Sequence, residues 1–153
     1  MTLVELLKPE LIFPKINCAC KDGFIAELVD SIYDRCGELP ISREDLLKTI
    51  NTRESIGGTL LPSGLFIPHA RLKNFDDFVL AIATPAQPLF HAGLEIRLSA
   101  MMITSQTGRP WYLETLAALT KISRDTEFVT RLSGADNPQD FINILRERDS
   151  SLS

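Results

Sequence analysis

The chain has no long hydrophobic run. None of its apolar stretches approaches the roughly 18 residues of a membrane-spanning helix, so direct membrane insertion is not expected. The segment Met1 to Pro9 carries Glu5 and lacks a basic start before an apolar core, so it does not read as a signal peptide. Dense Lys/Arg clusters are also missing. Sixteen basic residues against 20 acidic ones give a net charge of -4, and nothing resembles a footprint for a phosphate backbone. Nucleic acid is therefore not an expected partner. Cysteine is scarce, with only Cys18, Cys20 and Cys36 present. An odd number without a secretory leader suggests a reducing cytoplasm. Cys18 and Cys20 are too close for a relaxed disulfide, and Cys36 falls on an apolar helix face. All three read as small buried hydrophobes, and neither a metal nor a cofactor is expected. Internal repeats, low-complexity segments and dividing linkers are absent too.

What is present fits one globular domain over residues 1–153. The core covers about residues 3–146 and a polar tail covers 149–153. At 153 residues, with 44% hydrophobic and 24% charged side chains, such a domain buries roughly 70% of its unfolded surface without a metal or disulfide staple.

Periodicity divides the chain into alternating elements. Ile25, Leu28, Val29, Ile32 and Cys36 share one helical face, with Asp22 as N-cap and Gly37 as stop. Ser42, followed by Asp45, opens a second helix through Leu46, Leu47 and Ile50. Gly57 to Gly64 reads as irregular loop, followed by the short strand Leu65–Ile67, stopped by Pro68. Phe78 to Ala83 is a continuous apolar run, as in a strand covered on both faces. Ile96, Leu98, Ala100 and Met102 alternate with Arg97, Ser99 and Met101, which predicts another strand. Helices follow: from Pro110 through Leu113, Leu116 and Ala117; through Phe128, Val129 and Leu132 to Gly134; and from Pro138 through Phe141, Ile142 and Leu145. The tail after Arg148 is polar and is expected to fray. The fold class is α/β, a mixed central sheet with helices on both faces.

The sequence holds two histidines, His69 and His91. His69 follows Pro68 at the end of an apolar strand, downstream of the glycine-rich stretch Glu54 to Gly64. A strand end delivers a side chain to the sheet rim, where α/β proteins place ligands. Nearby glycines let backbone N–H groups approach an anion, and Arg53 and Arg71 supply positive charge. On this chemistry His69 is either an imidazole that accepts a phosphoryl group or a strand-end histidine bonded to a neighbour. His91 lies in the turn after Pro88 and reads as an exposed loop residue.

The run Asn51-Thr-Arg-Glu-Ser-Ile-Gly-Gly-Thr59, followed by Gly64-Leu-Phe-Ile-Pro-His-Ala-Arg71, resembles a known active-site signature. It is that of enzyme IIA of the fructose/mannitol/nitrogen-regulatory type, in the bacterial sugar phosphotransferase system. Leu6 to Glu10, Ala81 to Leu89 and Leu113 to Leu119 resemble other parts of that family, so the similarity spans residues 3 to 146. The resemblance implies the enzyme IIA sandwich and a cytoplasmic protein phosphorylated on His69. The donor would be the phosphocarrier HPr or its nitrogen-branch relative, and the recipient an enzyme IIB or a regulatory target.

Arg53 matches the family's active-site arginine, whose planar fork suits phosphoryl oxygens. It is otherwise a surface ion-pair residue. Thr59 either donates a hydroxyl hydrogen bond to the phosphoryl group or caps a turn. One position departs from the family pattern. Where a second active-site histidine is usual, spacing from Leu113 and Leu116 gives Tyr112. A phenol can donate a hydrogen bond but carries no positive charge. Arg109, close to the same helix start, is the residue expected to supply that charge. The substitution leaves two expectations: an intact phosphocarrier, or a binding module that keeps the fold and has lost efficient relay. With no transporter or enzyme IIB sequence in the chain, a stand-alone protein is expected, either a sugar-transport subunit or a nitrogen-type regulator.

Overall fold

The computed structural model describes residues 2–36, 39–106 and 110–152, with backbone alone at 110, 111 and 149–152. Helix α1 (Leu3–Leu6) and a 3-10 turn (Pro9–Leu11) lead into β1 (Ile12–Ile16). Helices α2 (Lys21–Cys36) and α3 (Arg43–Ile56) follow. Six strands come next: β2 (Leu65–Phe66), β3 (His69–Leu72), β4 (Val79–Pro85), β5 (Leu89–His91), β6 (Leu94–Ile96) and β7 (Leu98–Ser105). Helices α4 (Pro110–Ser123), α5 (Thr126–Ser133) and α6 (Pro138–Leu152) complete the chain.

The main sheet has five strands and is mixed, as expected. Its order is β1-β4-β7-β2, with β3 also on β7. Strands β1 and β4 are parallel, β4 and β7 antiparallel, and β2 and β3 both parallel to β7. The central strands β4 and β7 bury both faces; this explains the apolar run of β4, while β7, predicted as an alternating strand, also buries Ser99, Thr104 and Ser105. Leu80, Ile82, Leu98, Ala100 and Met102 face one core, packed with α4, α5 and α6 through Leu119, Phe128 and Phe141. Val79, Ala81, Met101 and Ile103 face the other, closed by Phe24 and Leu28 of α2 and Leu46 and Ile50 of α3. Strands β5 and β6 form a separate antiparallel pair.

Several details differ from the sequence expectation. Helix α2 begins at Lys21, so Asp22 lies inside its first turn, and the Cys20 sulfur accepts from the Gly23 N–H. Ser42 does cap α3, accepting from the Asp45 N–H at 3.1 Å. Strand β1 was hidden by Pro14 and by a bulge at Lys15 (φ 55°), whose N–H is taken by the Thr84 hydroxyl at 2.9 Å. The predicted strand from Ile96 is split at Arg97 and runs on to Ser105. The polar tail continues α6 as helix to Leu152. Gly37 lies outside the described residues. Among the described residues no helix is long and apolar enough to cross a membrane.

The two cores converge on β7, where Met101 is fully buried. Met101→Ala is expected to lower stability by about 2–5 kcal/mol in urea denaturation, against about 1 kcal/mol for loss of the α3 cap in Ser42→Ala. Equal losses for the two variants would contradict the central place given to β7.

Candidate functional site

His69 opens β3 rather than ending the preceding strand. Strands β2 and β3 pair with β7 at one constant offset, Leu65 opposite Leu98 and His69 opposite Met102. They are a single strand interrupted at Ile67 and Pro68. Proline has no N–H to give to a ladder. Its carbonyl still accepts from the Met102 N–H at 3.0 Å, and regular pairing resumes at His69.

The loop before β2 is stitched over this break. Gly64 has φ +92°, a conformation suited to glycine, and a Cβ there would come within 2.8 Å of Arg97 Cγ. The Ile67 N–H donates to the Thr59 carbonyl at 3.2 Å, so the glycine-rich segment ends beside the histidine. Arg53 sits in the last turn of α3, and its Nη1 donates to the Gly57 carbonyl at 2.7 Å. The remaining N–H groups of its fork are left for another acceptor. Among the described residues no carboxylate pairs with Arg53.

The imidazole is half-buried and held on two sides. Its Nε2 lies 3.1 Å from the hydroxyl of buried Thr104, which stands on β7. The Tyr112 ring, from the first turn of α4, stacks on it with centroids 4.8 Å apart and planes 16° from parallel. Arg53, Thr59, His69 and Tyr112 meet at a cavity of about 440 Å³ walled by Leu61, Ile67 and Leu116. Thr59 gives its hydroxyl hydrogen to Glu54 Oε2 at 2.6 Å, so it faces the cavity as an acceptor. Arg71 is exposed two residues along β3, on the same strand face as His69. Arg109 lies outside the described residues. His91 is exposed, as expected, but it ends β5 instead of lying in a loop.

Burial, then the charges of Arg71 and Arg53, push the His69 pKa from 6.5 down to about 4. The ring is therefore neutral at neutral pH and keeps one nitrogen lone pair available for attack. Its neighbours are two guanidiniums and apolar walls, a setting that favours an incoming anion over a proton. Among the described residues no cluster of three His, Cys, Asp or Glu side chains is placed to hold a metal ion.

Sequence reasoning missed Thr104, Lys21 and Glu54. Thr104 had a visible signal: it is a polar residue at the end of an otherwise apolar alternation on β7. Glu54 sits inside the signature quoted above, but its buried pairing with Lys21 (3.0 Å) joins residues 33 positions apart.

The model of the family described as "Phosphoenolpyruvate-dependent sugar phosphotransferase system, EIIA 2" matches residues 5–148. The structure of nitrogen regulatory protein IIA-Ntr from Neisseria meningitidis superposes with a TM-score of 0.79 at 19% identity, covering 94% of this chain and 98% of that one. Enzyme IIA mannitol of Escherichia coli, solved in complex with phosphorylated enzyme IIB mannitol, gives a TM-score of 0.71 at 15% identity, covering 92% and 97%. The 2-O-alpha-mannosyl-D-glycerate-specific EIIABC component of Escherichia coli is 28% identical over 112 residues, 70% of this chain and 17% of that protein. The chain thus spans only a small part of that relative's length.

The depressed pKa has a measurable consequence. Because the unfolded ring binds a proton near 6.5 and the folded ring only near 4, stability is lost as pH falls through that window, by roughly 3 kcal/mol in total. The stability of the wild type relative to His69→Gln is expected to fall by about that amount between pH 7 and pH 4. Parallel profiles for the two proteins in urea titrations would refute the neutral ring.

Proposed function

The chain belongs to the EIIA 2 family of the phosphoenolpyruvate-dependent sugar phosphotransferase system, and from that premise we propose that it is a cytoplasmic phosphocarrier working through His69. The observation that carries this reading is the neutral, half-buried imidazole facing a cavity that Arg53 shares. In the reaction, an HPr-type donor presents a phosphohistidine. The ring nitrogen of His69 that does not face Thr104 attacks phosphorus in line. A new N–P bond forms as the donor's N–P bond breaks, and the donor ring keeps the electron pair. In the reactive tautomer Nε2–H donates to the Thr104 hydroxyl, which leaves the lone pair on the attacking nitrogen. The Arg53 fork takes up phosphoryl charge as it moves, a task of positioning and electrostatics. Onward transfer to an enzyme IIB or a regulatory target reverses these roles.

Two exposed apolar residues support a docking role for this face. Ile56 is 79% exposed three residues after Arg53, and Leu113 is 66% exposed next to Tyr112. Solvent-facing aliphatic side chains beside a reactive group suit a transient protein partner.

A second reading is favoured by the Tyr112 stack. A neutral phenol ring takes the place where a second imidazole could have carried positive charge. The site would then pass a phosphoryl group on poorly, and the protein would act as a regulatory binding module.

One experiment separates the two. With a phosphorylated HPr-type donor, the wild type is expected to gain acid-labile phosphate and His69→Ala none. Arg53→Met is expected to slow acceptance by about 10²-fold, the usual effect of removing one charge-stabilising donor. No labelling of the wild type by a working donor would eliminate the carrier. Equal partner affinity for wild type and His69→Asp would favour the static module.

A further inference from the structure

We propose that Lys21 and Glu54 are positioning residues of the His69 site, holding the Gly57–Thr59 segment, and through it the Arg53 guanidinium, at the mouth of the cavity. This rests on the phosphocarrier reading and adds to it residues that never touch the phosphoryl group.

Glu54 and Lys21 are nearly buried, with side chains 5% and 9% exposed, and their ion pair measures 3.0 Å. The carboxylate is fully engaged. Oε1 accepts from Lys21 Nζ and from the Thr59 N–H at 3.2 Å, while Oε2 accepts from the Thr59 hydroxyl at 2.6 Å. The Lys21 ammonium also stands 5.4 Å from the centroid of the Phe66 ring, on β2 just before the histidine. The loop backbone lies against the pair: a Cβ on Gly58 would be 3.8 Å from Glu54 Oε1 and 4.0 Å from Lys21 Nζ.

A hydrophobic pair would fill this space at lower desolvation cost. What the ionic pair adds is direction. It ties the start of α2, the end of α3 and the glycine-rich segment to one point. Arg53 and Glu54 are consecutive on α3 and diverge by about 100°. Glu54 therefore grips the segment from inside while Arg53 reaches the same segment at the Gly57 carbonyl, 2.7 Å away. Glycines at 57 and 58 give the backbone wide freedom unless something pins it. Without the pin, the Gly57 carbonyl wanders and Arg53 loses its anchor beside the imidazole.

Arg53 depresses the protonation of His69, so the ring itself reports where the guanidinium stands. The test is an NMR pH titration of both histidines in Lys21→Met, Lys21→Arg, Glu54→Gln and Thr59→Val, with exposed His91 as internal reference. Lys21→Met and Thr59→Val are expected to raise the His69 midpoint by about half a pH unit or more. They should also slow phosphoryl acceptance at least tenfold, with His91 unmoved. Lys21→Arg keeps the charge and is expected to restore most of both. Glu54→Gln is the harshest change; should it fail to fold, Thr59→Val still decides, because it cuts one tie and leaves the ion pair intact. Folded variants with wild-type His69 midpoints and wild-type acceptance would overturn the proposal. If the wild type takes no phosphoryl group at all, the carrier reading falls, yet the titration still shows whether the pair places Arg53.

Discussion

The parallel pairing of β2 and β3 with β7 carries the site, because it fixes where the interrupted strand must resume. A residue offset of 33 holds on both sides of Pro68, from Leu65 against Leu98 to Leu72 against Ser105. The interruption therefore costs two residues of regular pairing without letting the register slip. A slip of one residue would turn His69 away from Thr104 and Tyr112 and into the helical layer on the other face. Fully buried neighbours on β7, such as Met101 and Ile103, make that slip expensive. The geometry around His69 is in this sense a by-product of core packing on β7.

Electrostatics then give the site its preference. Two guanidiniums beside a half-buried imidazole make proton binding costly and anion binding favourable, with the same charges doing both. On the proposed reading, a phosphoryl group on the ring would bring a negative charge to which these guanidiniums are complementary. Arg53, which pairs with no carboxylate among the described residues, would gain an anionic partner. If the proposed transfer takes place, the charges that would stabilise the incoming group are in place before a donor docks, and the donor's task is to deliver it in line. The chain's overall charge of -4 makes this local positive field stand out from its surroundings.

Much of this was legible in the sequence. The two-sided burial of β4 followed from its unbroken hydrophobicity, whereas β7 read as an alternating strand and proved buried on both faces, and Ser42 announced α3 through its cap. His69, one of two histidines, stood out by its strand-end context, and Arg53 by its place in a local run that resembles the enzyme IIA signature. What escaped notice was either punctuated or distant. Strand β1 is short, interrupted by Pro14 and bulged at Lys15, so no alternation survives to be read. Pro68 marked the end of one strand when it was in fact a gap within a longer one. Only the register on β7, set by residues some 33 positions away, tells those apart. The Lys21–Glu54 tie has the same character: each residue alone is an ordinary charged helix residue, and burial appears only once α2 and α3 pack on the sheet.

Tyr112 shows how one substitution redistributes a site's duties. A stacked aromatic ring shields the imidazole from water, and desolvation is the largest cause of its depressed pKa. A histidine there would offer a second proton carrier and a cation that could follow the phosphoryl group out. The phenol offers shielding and one hydroxyl. Shielding keeps the ring neutral and reactive toward a donor, but it also keeps water away from the phosphorylated form. Both effects favour loading, and neither helps the group leave. The charge for departure must then come from Arg53 or from the acceptor protein itself. On the proposed phosphocarrier reading, such a site would hold its phosphoryl group longer than one with a second imidazole, and release would depend on the charge that Arg53 and the acceptor protein can offer.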